Sequence, residues 1–152
     1  PRVCNDFTAS GLDGTMTLGG TNIGLTVSGS LTFQATNFSR RYTGVTTFNA
    51  TSTGKTVTTN GVAFGNDVAF DGVGGGWTLG SALTVPIGNT TILTNGTLNL
   101  QSYTLTTGVF SSSNSNTRTI AFGTGQISCT GTGTVWTTST ITGLTTTGTQ
   151  GS

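Results

Sequence analysis

Hydrophobic residues in this chain alternate with threonine. In "GLTVSGSLTFQA" (24–35), "GKTVTTNGVAF" (54–64), "GSALTVPI" (80–87), "GTLNLQSYTLTTGVF" (96–110) and "RTIAFG" (118–123), Leu, Val, Ile and Phe recur at every second position between Thr, Ser and Asn. A period of two places one set of side chains on each side of a strand. β-branched and aromatic residues suit that pleated surface. Gly, Asn-Gly and Ser-Gly interrupt the strands at short intervals. No stretch carries a helical period, so the chain is expected to be all-β.

The strands echo one another. "KTVTTNG" at 55–61 resembles "TTILTNG" at 90–96, and "GSLTF", "GSALTV" and "GTLNL" share one form. Breaks at Gly24, Gly44, Asn66, Asn89, Val109 and Gly131 lie twenty to twenty-three residues apart. That loose period fits one coil of a β-solenoid, in which each coil pairs with those above and below. Leu31, Phe33, Phe64, Leu83, Val85, Leu98, Leu100, Ile120 and Phe122 are the expected inward ladders. Outward Thr, Ser and Asn would bond to copies one coil away. The alternative is a β-sandwich, which needs larger apolar inner faces than these Thr-dominated strands offer. Residues 1–45 read as an N-terminal β segment that is less clearly repetitive. Residues 46–152 read as degenerate solenoid repeats belonging to a longer chain or assembly.

Composition agrees with this picture. The chain of 152 residues has 38 Thr and 25 Gly, with 6% charged residues and a net charge of +1. An average soluble domain has roughly 25% charged residues. Disorder is not implied, because the apolar content is 32% and only 2 residues are Pro. No apolar run is long enough for a membrane span.

Three blocks carry a resemblance. "FDGVGGGWTLGSALTV" (70–85), "LTNGTLNLQSYTLTTGVFSSSNSNTRTIAFGTG" (93–125) and "GTGTVWTTSTITGL" (131–144) resemble, in this order, a Thr/Gly/Asn-rich repeat family of tailed-phage and metagenomic proteins. The match covers roughly 46–144, while 1–42 is less similar and "SRRYTG" departs from it. The resemblance implies a virion-associated β-structural protein and transfers no catalytic motif.

The available chemistry narrows the function further. The chain has no His, and its only acids are Asp6, Asp13, Asp67 and Asp71. A Ser-His-Asp or Cys-His arrangement cannot be built without His. Two Cys without His make a structural zinc site a poor expectation. Asp67 and Asp71 form the one close acidic pair, but four residues of strand separate them by roughly 13 Å. Asn66-Asp67 and Asp71-Gly72 read better as turns. "GVGGG" at 72–76 lacks the Lys-Ser/Thr and helix of a phosphate loop and reads as a corner. Cys4 and Cys129 are expected to stay apart as free thiols, with Cys129 buried.

The expected function is therefore non-enzymatic, without cofactor or metal. It is a structural part of a tailed-phage virion: a fibre, a neck or tail appendage, or a capsid decoration. Its expected location is the virion, and its expected partners are further copies of itself, other virion or surface proteins, and host glycans. Trp77, Tyr103 and Trp136 are candidate sugar platforms. Arg40, Arg41 and Tyr42 form the one basic cluster, a candidate protein contact. A net charge of +1 gives no footprint for nucleic acid. The alternative is an extracellular adhesin or filament subunit at a cell surface. A remoter one is ice binding, suggested by Thr-x-Thr at Thr56, Thr104 and Thr117, although Arg118 interrupts the last.

Overall fold

The computed structural model describes residues 1–149 as an all-β solenoid of about seven turns, each coil near 22 residues, with no helix among them. All strand pairs are parallel. On one face Leu83 pairs with Leu105 and Leu105 with Ile127, a step of 22 residues each time. On another the step varies from 19 (Thr91 to Phe110) to 26 (Phe110 to Trp136). The corner loops absorb these differences, so the sequence period is loose while the ladders stay in register.

The strands fall on three faces, visited in chain order. The first face stacks Arg2–Cys4, Leu25–Val27, Thr46–Phe48, the starts of Val68–Leu79 and Thr90–Asn99, Val109–Ser111 and Trp136–Thr137. The second stacks Phe7–Thr8, Leu31–Thr32, Lys55–Thr58, the ends of the same two long strands, Arg118–Ala121 and Leu144–Thr147. The third consists of two separate ladders, Met16–Gly20 with Phe38–Tyr42, and Leu83–Thr84 with Thr104–Thr107 and Gln126–Cys129. Between them no strand forms at the level of residues 59–65. There Arg40 Nε donates to the Ala63 carbonyl and the Phe64 amide to the Thr84 carbonyl.

The core follows from the period-two pattern. All nine expected inward residues are buried. Aromatic rings fill the early coils: Phe33 stacks on Phe38 at 4.8 Å, Phe48 on Phe70 at 5.0 Å, and Phe70 meets Trp77 at 5.4 Å. Aliphatic side chains, Leu79 to Leu105, take over in the later coils. Buried hydroxyls are paired, as buried polar groups must be. Tyr42 Oη lies 2.7 Å from Thr46 Oγ1, and Thr59 Oγ1 donates to the Ala82 carbonyl at 2.7 Å.

Polar side chains also link coils. Ser28 Oγ donates to Asn49 Oδ1, Asp67 Oδ1 accepts from the Thr90 amide, and Asn116 Nδ2 donates to the Thr94 carbonyl. More of these links run from side chain to backbone than between copies of one side chain, a departure from the expected like-with-like ladders.

The Asp71-Gly72 turn is a correction. Both residues lie inside the strand Val68–Leu79. Asp71 pairs with Asn95 and Gly76 with Thr97, so residues 72–75 on one coil face Gly96 alone on the next. This wide bulge lets the strand turn from the first face to the second without ending. "GVGGG" is indeed the corner before Trp77. Cys4 and Cys129 are free, but Cys129 is only half-buried rather than enclosed, because its strand lies at the edge of the third-face ladder.

Candidate functional site

The bulge creates the most distinctive surface of the molecule. Gly72 and Gly75 lie flat against the Ala50 carbonyl, and a Cβ on either would overlap that oxygen and reach within about 3 Å of the Trp77 ring. Gly96 follows the same path one coil later, with φ +81° and its own close approach to the carbonyls of Gly72 and Gly75. Only residues without a side chain let three backbones close up in this way.

The outer side of this corner is a groove of about 420 Å³. It crosses four coils, through Thr53, Gly74, Asn95 and Thr97, and Asn116 and Thr119. Val73 stands at its rim with 73% of its surface exposed. A neighbouring hollow of about 200 Å³ shares Thr53 and Thr97 and is also lined by Trp77, Thr78 and Asn99. Asp71 Oδ1 accepts from Asn95 Nδ2 at 2.7 Å beside the groove.

Arg118 lines the groove but does not face it as a free charge. It is completely buried. Its five N–H donors are all used: Nε to Ser112 Oγ, Nη1 to the carbonyls of Asn116 and Thr142, and Nη2 to the carbonyls of Ser112 and Thr140. The planar guanidinium fork suits such a set of acceptors. Burial pulls its pKa below the ordinary arginine value. Arg118 thus ties the first-to-second-face corner loop of the sixth coil, residues 112–117, to the equivalent loop of the seventh, residues 138–143.

The sequence-predicted contacts scatter. Trp77 is a correction: it is 0% exposed and packs on Phe48 and Phe70, so it is a core residue and not a sugar platform. Its Nε1 is the one buried side-chain nitrogen or oxygen without a hydrogen-bond partner among the described residues. Tyr42 is a second correction, buried through the same inward parity. Burial raises its pKa, against the hydrogen bond from Thr46 and the nearby Arg40 charge. Arg40 is half-buried, lies 5.4 Å from the Tyr42 ring centre, and donates to the carbonyls of Ala63 and Tyr42. Of that cluster Arg41 alone is exposed.

Tyr103 and Trp136 remain at the surface, 36% and 37% exposed. Tyr103 sits at the corner between the second and third faces. Trp136 lies in the last coil with its ring 4.7 Å from Phe110. They share no site. The Thr-x-Thr pairs divide likewise: Thr56–Thr58 and Thr117–Thr119 belong to the second face, Thr104–Thr106 to the third, so they form no single repeated array. Asp67 and Asp71 are each engaged by a neighbouring coil.

Comparison with protein-family models, with curated proteins and with solved structures found no match.

Proposed function

We propose that this chain is a non-enzymatic structural module, a stiff β-solenoid segment of a tailed-phage virion appendage such as a fibre, a neck or tail part, or a capsid decoration. One observation carries the structural half of this reading: about seven parallel coils stay in register across continuous first- and second-face ladders. Such a stack transmits load along its axis and hides backbone bonds from proteases. The first- and second-face strands of the first and last described coils each pair on one side only, so their outer edges can receive a further coil of the same polypeptide or of a neighbour. The neutral Thr, Ser and Asn surface suits a particle exposed to varied media. The virion location rests on the sequence resemblance over 46–144.

Immunogold electron microscopy with an antibody to this chain tests the location. Label at one fixed position on phage particles is the expected result. Label on cell-surface threads, with bare phages, would replace the virion reading by an extracellular filament or adhesin.

A further inference from the structure

The corner groove has a chemistry of its own. It crosses four coils, three rungs of about 4.8 Å, and so spans roughly 14 Å along the axis. Thr53, Thr97, Ser115, Thr117 and Thr119 line it, and among the described residues these side chains make no hydrogen bond within the protein. The bulge at 72–75 forms one wall with bare backbone and the exposed Val73 methyls.

Charge decides what such a wall can hold. All five Arg118 donors are already taken, so the groove offers no free cation to a phosphate, sulfate or carboxylate. Beside the groove lies the exposed Asp71 carboxylate, bonded to Asn95, while Lys55, half-buried on its strand, is not among the lining residues. An acidic polymer or a nucleic acid would find no lining cation with a donor to spare. A chain of hydroxyl groups meets donors and acceptors at every rung, with an apolar rim for its C–H faces.

We propose that this groove binds a linear, uncharged oligosaccharide lying along the solenoid axis. The inference deepens the reading above by placing the glycan contact at the corner of coils three to six rather than on Trp77, Tyr103 or Trp136. Trp77 also borders the adjoining hollow, but its indole is fully buried against Phe48 and Phe70, so it reports on the packing behind the groove and not on direct ligand contact.

The test uses the chain carrying Trp136→Phe, which leaves Trp77 as the single indole. Maltohexaose, cellohexaose and chitohexaose are titrated separately by calorimetry, which decides binding, with Trp77 emission followed in parallel. A hyaluronan hexasaccharide is the acidic comparator. At least one neutral hexasaccharide is expected to bind, and the acidic one at least tenfold more weakly. Thr97→Val with Thr119→Val removes two groove hydroxyls while keeping branched strand residues, and should weaken binding at least tenfold. Thr84→Val with Thr106→Val makes the same change on the third face and should leave binding unaltered.

Failure of all three neutral ligands at millimolar concentration would overturn the proposal. So would an unchanged affinity in the groove variant, equal losses in both variants, or preference for the acidic sugar. Glycan failure with fixed label on the virion removes this site alone. Glycan binding with label elsewhere removes the virion location and keeps the site.

Discussion

Replacing Arg118 by Met would release the last coil. The Met side chain keeps much of the apolar stem and removes all five donors. The Ser112 carbonyl is the costly loss, because Ser112 is fully buried and no water reaches it. An acceptor left in that state costs about 1–3 kcal/mol. Ser112 Oγ keeps its bond to the Leu93 carbonyl, and the carbonyls of Asn116, Thr140 and Thr142 belong to exposed residues that regain water. Removing an unpaired buried charge returns part of the loss. The net effect is expected to be about 1–2 kcal/mol, a factor of roughly 5–30 in the population with the last coil lifted.

Amide hydrogen exchange reads this directly. The amides of Phe110, Ser112 and Phe122 donate to Val135, Thr137 and Thr147 in the last coil, so they exchange when it lifts. Their protection should fall by that factor, while the Leu25 amide, bonded to Val45, keeps its own. Arg118→Lys, with three donors on one nitrogen, should recover little of the loss. Unchanged exchange at Phe110, Ser112 and Phe122 would refute the reasoning. Full rescue by Lys would show that charge, not the fork, holds the loops.

Further expectations follow from the same packing. Gly72→Ala should destabilise by about 1–3 kcal/mol in urea unfolding, since the added methyl meets the Ala50 backbone and the Trp77 ring. Gly76→Ala, whose Cβ would come no nearer than 3.2 Å, to the Thr53 methyl, should cost much less. Trp77→Phe should cost less than about 1.5 kcal/mol, because the lost ring area is offset by removal of the unpartnered indole N–H, whereas Trp77→Ala should cost about 3–5 kcal/mol. Burial raises the Tyr42 pKa, so the unfolded chain loses that proton first. Stability is then full below the unfolded tyrosine value near pH 10 and falls as pH rises through the folded value. In denaturant titrations Tyr42→Phe should show a shallower decline above about pH 10 than the parent.

How much of this was readable beforehand depends on parity. The inward ladders were legible because Leu, Val, Ile and Phe announce their side of the strand, and all nine are buried. Trp77 and Tyr42 are read as surface contacts because a polar handle beside an aromatic ring suggests a surface, and Arg118 is given no place at all. The alternation held the correct answer. Arg118 shares parity with Ile120 and Phe122, Trp77 with Leu79, and Tyr42 with Phe38 and Arg40, leaving Arg41 on the outer side. The register agrees, since Arg118 pairs with Gly96 on one coil and Leu144 on the next. What no pattern could supply is the set of carbonyls around Arg118. Two of those, from Ser112 and Asn116, are local, but the other two come from Thr140 and Thr142, 22 and 24 positions away, and arrive only when the coils stack. The groove was hidden for the same reason: its walls come from four coils, and "GVGGG" acquires a concave side only beside Asn95 and Asn116.

The gap in the third face gives the solenoid a mechanical direction. A three-sided beam resists bending equally through its flanges, but at residues 59–65 one flange has no strand ladder and is bridged instead by scattered bonds, from Arg40 to Ala63, from Thr59 and Asn60 to Ser81, Ala82 and Phe33, and from the Phe64 amide to Thr84. Bending that closes or opens that side meets two intact ladders acting as the hinge plate, whereas bending in the perpendicular direction must stretch one of them. The rod is therefore a beam with a notch, most compliant in one plane and at one height, about two coils from its amino-terminal end.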